Sequence, residues 1–531
     1  MKVACRYQPV ADAESRRRGD RLVHWLRGYA EHRLGSRLMD ERRSVPAYVG
    51  LDLADRGVFG MQMEERFGGL ALRTRDLARV LEQAAGVDLS FGTWILVCLF
   101  PGVRPLATFA TGGLRDELLP RLASGRVLAG YAQTEPGAGT HFPAMAATAL
   151  AQPGGGWRVS GDKWWIGNSS WAGVLTVMAQ EVDASGRRKG LTALAVPTDA
   201  PGVRLGRELA SMGMRAMVQG EVGFRDVAVG PERLLGEAGR GLEVGVDSMC
   251  WSRFAIASTC LGAMRRCAQL TLRFGQRRTI ATGRLAAHPV FAGALGETLV
   301  QVALTEALLY RVAEILDEGR GVSVDLFSVC KIVASEFLWS AADRLVQALG
   351  ARGYDEANGV PQLLRDARVT RIFEGTSEAL LAYVGSQALA AHSELHAFLR
   401  EDLGAPDASD ALRKALAGAS GSGAAGRAWL CARAGWLATW TLLAAAAEQR
   451  AAAAPAAGLE RAVDWARMRF DEARVATRAG ALDERFVVEA SRAEEIVSGY
   501  TAAIGDVEQT LPGLREELDP LLRREPPPDG A

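Results

Sequence analysis

Hydrophobic positions recur at helical spacing in three stretches of this 531-residue chain and alternate with polar ones in a fourth lying between the first two. Residues 1–125 carry helical patterns such as "RLVHWLRGYAEHRLG" and "LRTRDLARVLEQAAG", broken by short turns. From 126 to 236 the texture changes to β-rich runs, "WRVSGDKWWIG", "AGVLTVMAQEV", "LTALAVPT" and "GEVGFRDVAVG", separated by Gly, Asp and Pro. These predict a small antiparallel sheet domain. Helical periodicity returns over 237–395. "GAPDASD" and "GASGSGAAG" then mark residues 396–426 as a linker. Beyond it, 427–531 reads as an additional Ala-rich helical module with a frayed tail at "RREPPPDGA". The expected fold is therefore mainly α with a central β domain.

Composition narrows the partners more than the fold. Lys+Arg and Asp+Glu are equal at 62 each, so no global basic field points to nucleic acid. The seven cysteines are scattered without a CxxC pair or Cys/His cluster, so neither a metal site nor a disulfide framework is expected. The first 20 residues lack an apolar signal region. The longest apolar span, "AGWLATWTLLAAAA" (434–447), is short for a membrane crossing and reads as a buried helix. A cytoplasmic protein is the expectation.

Candidate chemistry begins with "TRIFEGTSEALLAYVG" (370–385). One carboxylate, Glu374, stands between Phe373 and Gly375. Thr376 reads as the N-cap of a following helix, Glu378 as its first-turn acid, and Leu380, Val384 and Ala388 as its apolar stripe. Two further segments lie some 230 residues upstream, "YAQTEPGAGT" (131–140) and "GWRVSGDKWWIGNSSWAG" (156–173). Between them and Glu374, "WSRFAIASTCLGAMRRCAQLTLRFGQRRT" sets Arg253 25 residues before Arg278, and Gln347 precedes Glu374 by 27 residues.

Taken together, these segments resemble the acyl-CoA dehydrogenase family over roughly residues 40–390. The resemblance implies a helical domain, a β domain and a helical bundle, a bound FAD, and α,β-dehydrogenation of an acyl thioester carried on CoA or on a carrier protein. Glu374 matches the base that removes the α-proton, with Gly375 letting the backbone approach closely. Tyr131, Gln133, Thr134, Trp165 and Gly167 match positions around the flavin. Thr140 and Arg253 match positions near the substrate. Arg278, Gln347, Gly350 and Thr376 match positions around the FAD nucleotide, some of them supplied across a subunit interface. A homodimer or homotetramer follows, as does reoxidation by an electron-transferring flavoprotein. A carboxylate that is to take a weakly acidic α-proton works best with its pKa raised by burial, which Phe373 beside Glu374 favours.

The chain also departs from the family's pattern. Gly167 stands where a Thr or Ser hydroxyl usually reaches flavin N5. Ala281 and Thr282 replace a Phe-Gly pair, and Pro289 replaces a glutamine. Cys250 stands where many members carry an aspartate at the CoA end of the substrate, which raises the carrier-protein option. Ser252 lies where a minority keep their base, leaving Glu374 as the only candidate. Two other readings stay open on these residues: an oxygen-using monooxygenase or oxidase on the same fold, and a catalytically silent assembly partner. Trp429, Trp436 and Trp440 fall at helical spacing in the C-terminal module and are expected to pack into a partner helix, with membrane attachment disfavoured.

Overall fold

The computed structural model describes residues 1–419, 423–455, 458–478, 488–506 and 519–523. Residues 420–422 of the expected linker and the expected tail from 524 onward lie outside the described residues. The described chain is mainly helical with a central β domain, followed by further helices Gly423–Ala453, Leu459–Arg478 and Ala490–Ile504. The helix Gly241–Arg277 is buried on every side from Cys250 to Met264. A helix that is sheathed all round must sit at the centre of a bundle. It packs against Val324–Leu349 on one flank and Thr74–Val87 on another.

The sheet runs Val203–Glu208, Gln219–Val229, Trp157–Gly167, Thr148–Ala151, Ala172–Val182, Arg188–Pro197 and Leu234–Leu235, with Leu128–Ala132 added beside Ala172–Val182. Most pairings are antiparallel. Two are parallel, both on Ala172–Val182: Leu128–Ala132 lies along it with Tyr131 opposite Thr176, and Thr148–Ala151 lies along its far end. Alternation sorts the side chains onto two faces. Val174, Met178 and Ala193 pack toward the N-terminal helices, while Leu175, Val177 and Leu194 fill the sheet's other face.

Residues 396–426 were expected to form a linker, yet Pro406–Leu416 is helical, and Phe398, Leu399, Leu412 and Leu416 are buried in the main core. Ser409, a polar residue of this stretch, is buried and bonds His396, while Gly404 and Gly418 keep open space around them. Glycines serve close packing where Ser377–Leu389 crosses Gly423–Ala453. A Cβ on Gly385 would stand 1.7 Å from the Cys431 carbonyl, and one on Gly435 would stand 2.2 Å from that of Leu381. The backbones touch because neither glycine has a side chain. Trp436 and Trp440 stack with ring centroids 5.7 Å apart, and Trp440 meets Trp465 edge-on at 5.4 Å. Trp429 differs from its expected role: it stays 37% exposed, with Arg433 over its ring. Two stretches, Leu89–Phe109 and Gly423–Ala453, are long and apolar enough to cross a membrane, but 94% and 72% of their most apolar windows are buried inside the fold.

Candidate active site

Helix Gly359–Thr370 ends four residues before Glu374, and helix Ser377–Leu389 begins three after it. Glu374 sits in the turn between them with φ 55°, followed by Gly375 at φ 96°. The left-handed region costs an ordinary residue about 1 kcal/mol or more, so surrounding contacts must hold Glu374 there. Thr376 caps the next helix by accepting from the Ala379 N–H at 3.4 Å. A Cβ at 375 would press on Leu380 at 3.0 Å, so both the backbone angle and the space call for glycine.

Two buried cations hold this turn. Arg253, on the central helix, donates from Nε to the Glu374 carbonyl at 3.0 Å and from Nη1 to Ser328 Oγ at 3.2 Å. Lys331 is fully buried on Val324–Leu349 and donates from Nζ to the Gly375 carbonyl at 2.7 Å. Part of Glu374 is exposed, but its carboxyl group lies deep enough among protein atoms for desolvation to push its pKa up to about 7, against the opposing pull of Arg253 and Lys331. Burial pushes the Lys331 ammonium the other way, down to about 8.

The sheet approaches from the opposite side. Tyr131 is raised chiefly by burial and secondly by the charge of Glu374, so ring and carboxylate share one electrostatic neighbourhood. Its hydroxyl donates to Gln133 Oε1 at 2.8 Å. The Tyr131 hydroxyl would also stand 3.3 Å from a Cβ on Gly245, which lies two helical turns before Arg253 on the same helix. Thr134 follows on the same segment, its carbonyl accepting from Trp164 N–H at 2.9 Å. Thr140 ends the exposed "EPGAG" turn, closed by paired Glu135 and Ala138. Beneath that turn, Lys163 and Glu135 form a buried ion pair at 2.7 Å. Trp165 stands 51% exposed at φ 58°, a position that large aromatics seldom occupy without a partner. Gly167 ends its strand with no room for a side chain, because a Cβ there would come within 2.8 Å of Val97 Cγ1. Val97 thus fills the space a hydroxyl-bearing side chain would need.

Glu374, Gly375, Arg253, Tyr131 and Gln133 therefore come together. Arg278, Gln347 and Gly350 do not join them. Arg278 follows the far end of the central helix, about 37 Å from Arg253 at 1.5 Å per residue, and it is exposed, as are Gln347 and Gly350. These distal ends are neighbours of each other: Phe274, Arg277 and Leu349 line a common cleft of about 450 Å³. Cys250 is fully buried. Ala281 and Thr282 form the tip of a two-stranded hairpin, and Pro289 opens the helix Pro289–Asp317. Sequence reasoning passed over Lys331. Its signal was present as a lone cation inside the apolar run "FSVCKIVASEF", where a lysine can be buried only against an acceptor.

Three family models match the chain in order: the acyl-CoA dehydrogenase N-terminal domain over residues 20–126, the middle domain over 130–227 and the C-terminal domain over 239–389. The chain belongs to the acyl-CoA dehydrogenase family. Among its relatives, the mouse (Mus musculus) mitochondrial very long-chain specific acyl-CoA dehydrogenase is 30% identical over 341 residues. That match takes in 63% of this chain and 52% of the mouse protein, about half of its length. A Bacillus anthracis acyl-CoA dehydrogenase complexed with FAD shares the fold at TM-score 0.75 and 20% identity, over 94% of this chain and 93% of that one. A prolyl acyl carrier protein oxidase aligns at TM-score 0.66 and 24% identity, over 71% of this chain and 99% of that one.

Proposed function

We propose that this protein is an FAD-dependent acyl-thioester dehydrogenase, oxidising a CH–CH bond to a trans α,β double bond with Glu374 as base. The observation that carries the reading is the left-handed turn in which Arg253 and Lys331 hold Glu374, whose carboxyl is raised by burial and whose charge acts on Tyr131 of the sheet. A carboxylate whose pKa is about 7 is half-charged near neutral pH and still basic enough to take a proton from a weak carbon acid.

The residues present fit FAD. Tyr131, Gln133 and Thr134 offer uncharged hydroxyl and amide groups suited to the polar edge of an isoalloxazine. Thr176, the register partner of Tyr131, keeps a buried hydroxyl with no hydrogen-bond partner among the described residues. Trp165 offers an exposed ring for stacking, and Gly167 leaves the strand end free of a side chain of its own. FAD, when bound, supplies the acceptor for a hydride equivalent from the β-carbon. Glu374 accepts the α-proton, and the backbone N–H of Glu374, which has no hydrogen-bond acceptor among the described residues, is available to the thioester oxygen. Arg278, Gln347 and Gly350, remote from this centre, serve on this reading the nucleotide of a neighbouring subunit's FAD in a homodimer or homotetramer. Charge-assisted bonding by Arg278 suits a pyrophosphate, and Thr376 completes the set beside the base. Thr140 lies on the substrate side, and an electron-transferring flavoprotein is the proposed oxidant of the reduced enzyme.

Buried Cys250 favours a second reading of the substrate. It stands where many members place an aspartate at the CoA end of the substrate, and a prolyl acyl carrier protein oxidase shares the fold, so on this reading the acyl group arrives on a carrier protein's phosphopantetheine arm. The test presents one acyl group on CoA and on a carrier protein, with an artificial electron acceptor, without oxygen. Loss of two hydrogens from the acyl chain is expected, and the faster thioester identifies the carrier. No such loss with either thioester, together with oxygen consumption in air, would replace the reading with the oxidase or monooxygenase one. A protein that takes up no FAD would leave the silent partner.

A further inference from the structure

Lys331 is a buried cation without a matching anion in contact. Among the described residues no carboxylate lies within 4.0 Å of its ammonium, and its one direct partner is the Gly375 carbonyl at 2.7 Å. Burying an ammonium costs several kcal/mol unless something nearby offsets it. The charged and titratable groups that act on it are Cys260 and Arg253 from the central helix, Glu336 from its own helix, and Glu374 across the turn. Glu336 is engaged by Arg371 at 2.7 Å. Cys260 is pushed up to about 12 by burial and stays a neutral thiol. Arg253 carries the same sign and is already spent on Ser328 and the Glu374 carbonyl. That leaves Glu374 as the anion to which Lys331 answers. Glu374 itself is acted on by Arg253 and Lys331, and in turn acts on Tyr131 of the sheet.

The geometry has a second consequence. Arg253 and Lys331 hold two consecutive carbonyls, of Glu374 and Gly375, from two different helices. Two adjacent residues at positive φ make the least self-supporting part of the segment, and each cation fixes one peptide plane. Remove one, and the carboxylate loses both a restraint and a nearby positive charge.

We propose that Lys331 is a positioning residue for Glu374: through the Gly375 carbonyl it fixes the turn that aims the carboxylate, and it sets a positive charge behind that turn. The proposal rests on Glu374 being the base. Lys331→Gln keeps a donor for the Gly375 carbonyl and removes the charge, whereas Lys331→Met removes both. The experiment uses the FAD-loaded protein, mixes it without oxygen with a thioester that reduces the wild type, and follows flavin reduction across pH. A parallel infrared titration of the carboxyl band, wild type minus Glu374→Gln, gives the Glu374 midpoint without turnover.

In Lys331→Gln the midpoint should rise by about one unit, so the rate falls about tenfold on the acid side and recovers at high pH. In Lys331→Met the same rise should come with a further loss that high pH does not restore. A variant that slows reduction equally at every pH, with the Glu374 midpoint unmoved, would make Lys331 merely structural and overturn the proposal. Should Lys331→Met fail to fold, the Lys331→Gln midpoint alone decides. If instead Glu374→Gln reduces flavin as fast as wild type, it is the base assignment that falls, which separates the two failures.

Discussion

Replacing Glu374 by glutamine should make the protein more stable at pH 8 and leave its stability nearly unchanged at pH 5. The carboxyl is displaced from its ordinary 4.5 to about 7, chiefly by desolvation. At 1.36 kcal/mol per pKa unit, the ionised side chain costs the native state about 3 kcal/mol relative to the unfolded chain. The sign follows from proton binding. Between about 4.5 and 7 the native state keeps a proton the unfolded chain has lost, so stability falls as pH rises through that window and levels off above it. Glutamine is close in shape and carries no charge at any pH, so it escapes the penalty. Water entering around the carboxylate lowers the gain, and about 1–3 kcal/mol at pH 8 is the working expectation. For a chain of this length, with an unfolding entropy near 2 cal/mol/K per residue, that is about 1–3 °C in Tm. The assay is paired calorimetry of wild type and Glu374→Gln at pH 5, 6, 7 and 8 with equal FAD loading. A Tm difference that opens with rising pH supports the buried, raised carboxyl. A difference that is constant, or that favours the wild type at pH 8, would refute it.

Other perturbations act elsewhere in the fold. Arg104 and Asp247 form a buried bidentate pair at 2.6 and 3.0 Å, so Asp247→Asn should cost about 3–5 kcal/mol by leaving the guanidinium unpaired, read as a lower Tm. Gly385→Val drives a side chain into the Cys431 carbonyl and should part Ser377–Leu389 from Gly423–Ala453; faster proteolysis within 423–455 and a change in tryptophan emission would report it. Gly167→Ser meets Val97 and should destabilise the protein by about 1–3 kcal/mol, as overpacking does, read as a lower Tm. Adding Val97→Ala to it should recover most of that loss.

The helix, sheet, helix order was legible because each element buries one face, and period follows burial: Leu380, Val384 and Ala388 line the inner side of their helix as their spacing implies. The helix start after Glu374 was legible for a local reason, since Thr376 caps it and Gly375 supplies the positive φ before it, whereas the left-handed φ of Glu374 itself left no local signal. Other features depend on distant partners and leave no local trace. The parallel placing of Leu128–Ala132 beside Ala172–Val182 is one, since alternation does not encode strand direction. The filling of the Gly167 site by Val97, 70 residues away, is another. The misread linker has a compositional cause. Ala, Gly and Ser mark slack chain and helix alike, and the burial of Leu412 and Leu416 against the main core, which depends on distant partners, is what tells them apart here. Lys331 was passed over because a single lysine in an apolar helix means nothing until its acceptor, 44 residues away, is known.

The most direct test of the central claim follows the visible absorbance of the FAD-loaded protein without oxygen as one saturated acyl thioester is added, wild type beside Glu374→Gln. Rapid bleaching in the wild type and its loss by several orders of magnitude in the variant, with FAD content unchanged, is the outcome the account predicts. Equal bleaching in both proteins would contradict it and remove Glu374 from the chemistry.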